Sequence, residues 1–110
     1  IFLSPQEAQK KYAILDAAND VATFSVELLR QQGEELNNSF LDRYLRSSRD
    51  RTDMKPLLPV YQMYAALRLG VTSCEMRTAM AWSEDEREAF QQRAVQYFNI
   101  AVRFARQLPH

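Results

Sequence analysis

The chain has 110 residues, 46% of them hydrophobic and 25% charged, and its fourteen basic side chains are balanced by fourteen acidic ones. That length fits one domain over residues 1–110, and the composition is that of a globular protein rather than a disordered or fibrous one. Zero net charge excludes an overall positive field that would draw the whole molecule onto nucleic acid or an anionic membrane.

Charge is nonetheless uneven along the chain. Residues 1–35 are acidic, whereas residues 36–78 carry Arg43, Arg46, Arg49, Arg51, Lys55, Arg68 and Arg77 against Asp42, Asp50, Asp53 and Glu75. The single cysteine, Cys74, forbids an intramolecular disulfide and suits a reducing compartment, so the expected location is the cytoplasm. No apolar run approaches the ~18 residues of a membrane span, and no membrane partner is expected.

In chain order, Ser4, Pro5 and Glu7 open a first helix, with a capping serine, a proline at the first helical position and a reciprocal carboxylate three residues on. Ala8, Tyr12, Leu15, Ala18, Ala22, Val26 and Leu29 then keep helical spacing, widened by Ile14, Val21, Phe24 and Leu28. Gly33 is a natural stop, which predicts a helix over residues 5–32. Residues 34–47 form a second helix with Leu36, Phe40, Leu41, Tyr44 and Leu45 on one side. The polar stretch SSRDRTDMKP reads as an exposed loop. Pro56 and Pro59 frame a third helix over residues 60–69, ended by Gly70, and a fourth follows over residues 73–81. Ser83 and Glu86 repeat the capping-box pattern, and Phe90, Ala94, Tyr97, Phe98, Ala101, Phe104, Ala105 and Leu108 sustain a fifth helix. Phe98, Ile100, Val102 and Phe104 also alternate as a strand would, so residues 98–104 admit either state. The fold class is all-α, a compact five-helix bundle.

The segment AALRLGVTSCEMRTAM carries the clearest functional pattern. Ala66 lies four residues before Gly70, Val71 follows the glycine and Met76 lies six after it, as in a helix-turn-helix whose two helices pack closely at a corner. On that reading the helix over residues 73–81 enters a DNA groove, with Thr72, Ser73, Arg77 and Thr78 facing it. Any tight corner in a helical bundle needs the same small, glycine, apolar sequence, so the pattern also fits packing alone. The extended segment AALRLGVTSCEMRTAMAWSEDE resembles the helix-turn-helix-like region of the flagellar master-regulator family FlhD and FlhC, on Ala65, Arg68, Leu69, Gly70, Val71, Met76, Trp82 and Ser83. The resemblance covers about a quarter of the chain and implies a small all-α transcriptional regulator that works as a multimer.

The stretch DRYLRSSRDR supplies Arg43, Arg46, Arg49 and Arg51 as phosphate contacts, or as ion-pair partners of Asp42, Asp50 and Asp53. Catalysis finds little support, because the one histidine, His110, is terminal and leaves no internal Ser-His or Cys-His pair. Metal ligands are equally sparse, and no cofactor or small-molecule substrate is expected. Trp82, Tyr61, Tyr64 and Met80 cluster in sequence around the corner and mark a partner surface if they are exposed together. The resulting expectation is a non-enzymatic regulator that binds DNA, with a protein partner or a homodimer. The alternative is a helical adaptor, chaperone or assembly subunit that docks another protein without DNA.

Overall fold

The computed structural model describes residues 3–79 and 81–109, and those residues form five helices and no strand. Helix α1 (Pro5–Gln32) is about 42 Å long at 1.5 Å per residue. It starts with the capping box expected of its sequence: the Glu7 backbone N–H donates to Ser4 Oγ, and the Ser4 N–H donates to Glu7 Oε2, both at 3.2 Å. Gly33 alone joins α1 to α2 (Glu34–Ser47), with φ at +94°, a conformation that favours glycine because it has no Cβ. Its N–H closes α1 on the Leu29 carbonyl at 3.1 Å. The chain therefore reverses within one residue, and α2 runs back along α1, with Asn37 bonded to Ser25 and the Phe40 ring against Phe24.

Part of the stretch read as an exposed loop is ordered as a short helix, α3 (Arg51–Met54). Its anchor is Met54, 2% exposed, packed with Ala18, Val21 and Leu58 and flanked by Phe40, Leu41, Tyr44 and Leu45. Charged neighbours masked this residue, because one apolar side chain in ten carries no period. Helix α4 (Leu58–Thr78) and helix α5 (Glu84–Gln107) then form a long antiparallel hairpin. Ala65 and Ala66 from α4, and Tyr97, Ala101 and Phe104 from α5, close on Val26 and Leu29 of α1. Ser83 caps α5 through the box with Glu86 that its sequence announces.

The expected corner at Gly70 is absent. Helix α4 runs uninterrupted from Leu58 to Thr78, merging the predicted third and fourth helices. Gly70 is buried in the helix interior, and a Cβ built there would lie 2.6 Å from Phe98 Cε1. The glycine thus serves close approach rather than chain reversal. Its cost inside a helix is about 1 kcal/mol relative to alanine, too little to break a helix packed on two neighbours. Residues 98–104 are likewise helical, so their alternation is incidental.

Between the two apolar clusters lies a chain of buried polar groups. Gln62 Nε2 donates to Ser25 Oγ at 2.8 Å, and Ser25 Oγ donates to Asn37 Oδ1 at 2.6 Å, tying α4, α1 and α2 together. All three side chains are buried. Such groups are costly when unpaired in a low-dielectric interior and specific when paired.

Two measurements check these packing arguments. Asn37→Leu and Gln62→Leu are each expected to lower unfolding free energy by about 1–3 kcal/mol, because each leaves a buried partner unsatisfied. The combined Ser25→Ala, Asn37→Leu, Gln62→Leu variant should lose much less than the sum in urea titrations. Gly70→Ala should destabilise by about 1–2 kcal/mol, overpacking against the Phe98 ring outweighing the gain in helix propensity. Adding Phe98→Leu should recover part of that loss.

Candidate interaction surfaces

The straight course of α4 decides where the sequence-predicted DNA contacts lie. Thr72, Ser73, Arg77 and Thr78 occupy its last two turns, and three of their hydroxyls bond to the helix backbone. Thr72 Oγ1 donates to the Arg68 carbonyl and Ser73 Oγ to the Leu69 carbonyl, both at 2.9 Å, and Thr78 Oγ1 to the Glu75 carbonyl at 2.8 Å. Ser73 is buried, so it faces no groove. Arg77 is exposed and lines a polar surface channel with Glu84, Arg87 and Glu88 of α5.

The arginine-rich segment lies at the other end of the molecule. Arg46 and Arg51 line a shallow groove between α2 and α3 together with Lys55, and Arg46 is ion-paired with Asp42. Arg43 and Arg49 are exposed outside that groove. Lys55 precedes the first turn of α4, whereas Arg77 sits nineteen residues beyond Leu58, about 28 Å along the axis. The two cationic sets are therefore separate, and no recognition helix connects them.

The aromatic residues expected to cluster are dispersed as well. Tyr61 is half-buried against Ala18, Val21, Met54 and Leu58. Trp82 is half-buried in the α4–α5 connection, edge-on to Phe90 at 5.1 Å between ring centroids. Tyr64 alone stands open to solvent, while Met80 and His110 lie outside the described residues.

What the structure brings together instead is an open face of the α4–α5 hairpin. Phe98 seated on Gly70 puts those two positions at one level. Leu67 and Val71 lie three residues before and one after Gly70. Val95 and Val102 lie three before and four after Phe98. At 100° per residue, Leu67, Val71 and Cys74 form a stripe on α4, and Glu88, Val95 and Val102 form a parallel one on α5. Both stripes point away from α1, which covers the opposite side through Ala65, Ala66, Tyr97 and Phe104. Tyr64 at 61% exposure, Leu67 at 39%, Val71 at 50%, Val95 at 53% and Val102 at 49% make this surface unusually apolar. Sequence reading missed it because a false break at Gly70 hid the seven-residue spacing of Tyr64 and Val71.

On the covered side, α1 and α5 are joined by a charged cluster. Tyr97 donates its hydroxyl hydrogen to Glu27, Arg30 lies 3.3 Å from Glu27, and the Arg30 guanidinium sits 5.2 Å from the Tyr97 ring centroid. Burial works against the Glu27 carboxylate, but the Tyr97 hydroxyl, Arg30 and Gln31 outweigh it and hold its pKa below the ordinary value. Burial and the neighbouring carboxylate push the Tyr97 phenol up. The Glu27 carboxylate accepts from Tyr97, Arg30 and Gln31 together and so clamps the seam, while the buried Arg30 Nε has no partner among the described residues. Arg103 adds a second tie, from α5 to Glu34 at the start of α2.

Among the described residues, no three His, Cys, Asp or Glu side chains converge as a metal site would require, and no helix is long and apolar enough to cross a membrane. Comparison with protein families, with curated proteins and with solved structures returned no match.

The clamp predicts an acid limb in stability. Because the folded Glu27 pKa is depressed, its contribution is full above the ordinary carboxylate range and is lost as pH falls through the lowered folded value. Glu27→Gln should be less stable than the parent at neutral pH, and the gap should narrow in urea titrations as pH falls below the ordinary carboxylate value and through the lowered folded one.

Proposed function

We propose that the chain is a non-enzymatic helical interaction module that docks another protein through the open face of α4 and α5. The observation that carries this reading is the row of five exposed apolar side chains, Tyr64, Leu67, Val71, Val95 and Val102, on the flank opposite the core. A rigid two-helix platform of this kind presents a surface at little conformational cost, because its backbone is already held by α1. The exposed stripe also lacks charge at its centre, as interface cores do.

A second reading is favoured by a different observation. Arg46, Arg51 and Lys55 converge on the groove between α2 and α3, and guanidinium forks suit phosphate oxygens. The chain would then touch the DNA backbone as one subunit of a multimeric regulator, the role implied by the resemblance to FlhD and FlhC. Base reading by Arg77 has no place in it, since no second helix presents that side chain.

The test is site-specific photocrosslinking in the native cell. A benzophenone side chain at Val71 is expected to form a protein adduct that Leu67→Lys abolishes, whereas the same group at Lys10 on α1 forms none. Equal adducts at both positions, or none at Val71, would overturn the module reading. Random duplex DNA bound by the purified chain at low salt, released as salt rises and lost on changing Arg46, Arg51 and Lys55 to Ala, would establish the second reading instead.

A further inference from the structure

We infer that the occupant of the α4–α5 face is a second copy of this chain, related by a two-fold axis in the plane of that face, so that the two hairpins form an antiparallel four-helix bundle. The inference rests on the interaction-module reading and names its partner. Charge complementarity carries it. On α5, the stripe Val95, Val102 is bracketed by Glu88 seven residues before and Arg106 four after, both exposed and neither in an ion pair of the chain among the described residues. Midway between them is Tyr97. An axis crossing α5 at that level places Glu88 of each copy opposite Arg106 of the other.

On α4 the same axis falls within the apolar stripe. The seat of Phe98 on Gly70 puts Val71 level with Tyr97, with Tyr64 and Leu67 on one side of it and Cys74 on the other. One two-fold therefore pairs the charges on α5 and brings the α4 stripes of the two copies together at Val71. A two-fold running along the helices would instead set each α5 against the partner's α4, where Glu88 and Arg106 no longer oppose each other. Self-complementarity of this kind is what an isologous interface requires, and antiparallel helical hairpins pack in this way in four-helix bundles.

Size sets the expected strength. Residues 88–106 span about 27 Å, and two helices are about 20 Å wide, so the footprint is on the order of 540 Å² per copy. Stable complexes bury about 600 Å² or more per partner, which places this dimer at the weak end, with reversible dissociation on dilution.

Sedimentation equilibrium of the purified chain tests this. A monomer–dimer equilibrium is expected, abolished by Val71→Lys with the circular dichroism spectrum unchanged. Arg106→Glu should weaken it about tenfold through two symmetry-related exposed pairs, and Glu88→Arg combined with Arg106→Glu should restore it. Register is read by oxidation in a Cys74→Ser background. Val71→Cys, next to the axis, should form a disulfide dimer, whereas Leu67→Cys should not, its two copies lying about 12 Å apart along the helices. A monomer at every concentration would overturn the second copy as occupant, and failure of the charge swap, or equal oxidation of both cysteine variants, would overturn the antiparallel register. If the chain is monomeric but the Val71 benzophenone still captures a different protein, only the identity of the partner falls. If that adduct is also missing, the module reading falls with it.

Discussion

The seat of the Phe98 ring on the bare backbone of Gly70 sets the geometry of the hairpin. A methyl group at Gly70 would meet the ring well inside van der Waals distance, so α4 and α5 approach at this point as only a glycine allows. That contact fixes which residues of the two helices share a level. It also gives the glycine a packing role in the interior of a long helix, where its backbone freedom would otherwise be a modest liability. The apolar stripes on the outer face, and their alignment with each other, follow from this one register.

Polar groups fix the rest of the arrangement. The chain from Gln62 through Ser25 to Asn37 demands that α1, α2 and α4 meet at one place, since any slip would strand a buried donor or acceptor. Tyr97, Glu27 and Arg30 do the same for α1 and α5 at the edge of the core. Apolar contacts alone, which include the small Ala65, Ala66 and Ala101, are less directional and specify register less sharply. The hydrogen-bonded groups remove that freedom.

A division of labour results. One side of the hairpin is committed to the core through small residues and paired polar groups. Its other side is apolar yet uncovered, and among the described residues beyond Ser73 and before Ala94 none is buried. The basic groove between α2 and α3 lies at the opposite end of α4 from Arg77. Two surfaces of different chemistry thus belong to one small chain, and the proposed function uses the one lined by exposed apolar side chains.

Much of the local structure could be read from the sequence. Ser4 with Glu7 and Ser83 with Glu86 announced the starts of α1 and α5, Gly33 announced the end of α1, and helical spacing announced the all-α class, because capping and amphipathicity are decided within a few residues along the chain. Gly70 could not be read in the same way. A glycine followed by an apolar residue signals a turn when nothing packs on it, and a continuous helix when a ring does, and the ring belongs to a residue twenty-eight positions later. The same limit hid the anchor Met54, the partners of Ser25 and the open face, all of which depend on neighbours brought together only by folding. Sequence by itself determined where α1, α2 and α5 begin, because caps and glycine stops act within a few residues; tertiary structure decided that two predicted helices are one, because close packing against Phe98 outweighs the small intrinsic cost of a glycine in a helix.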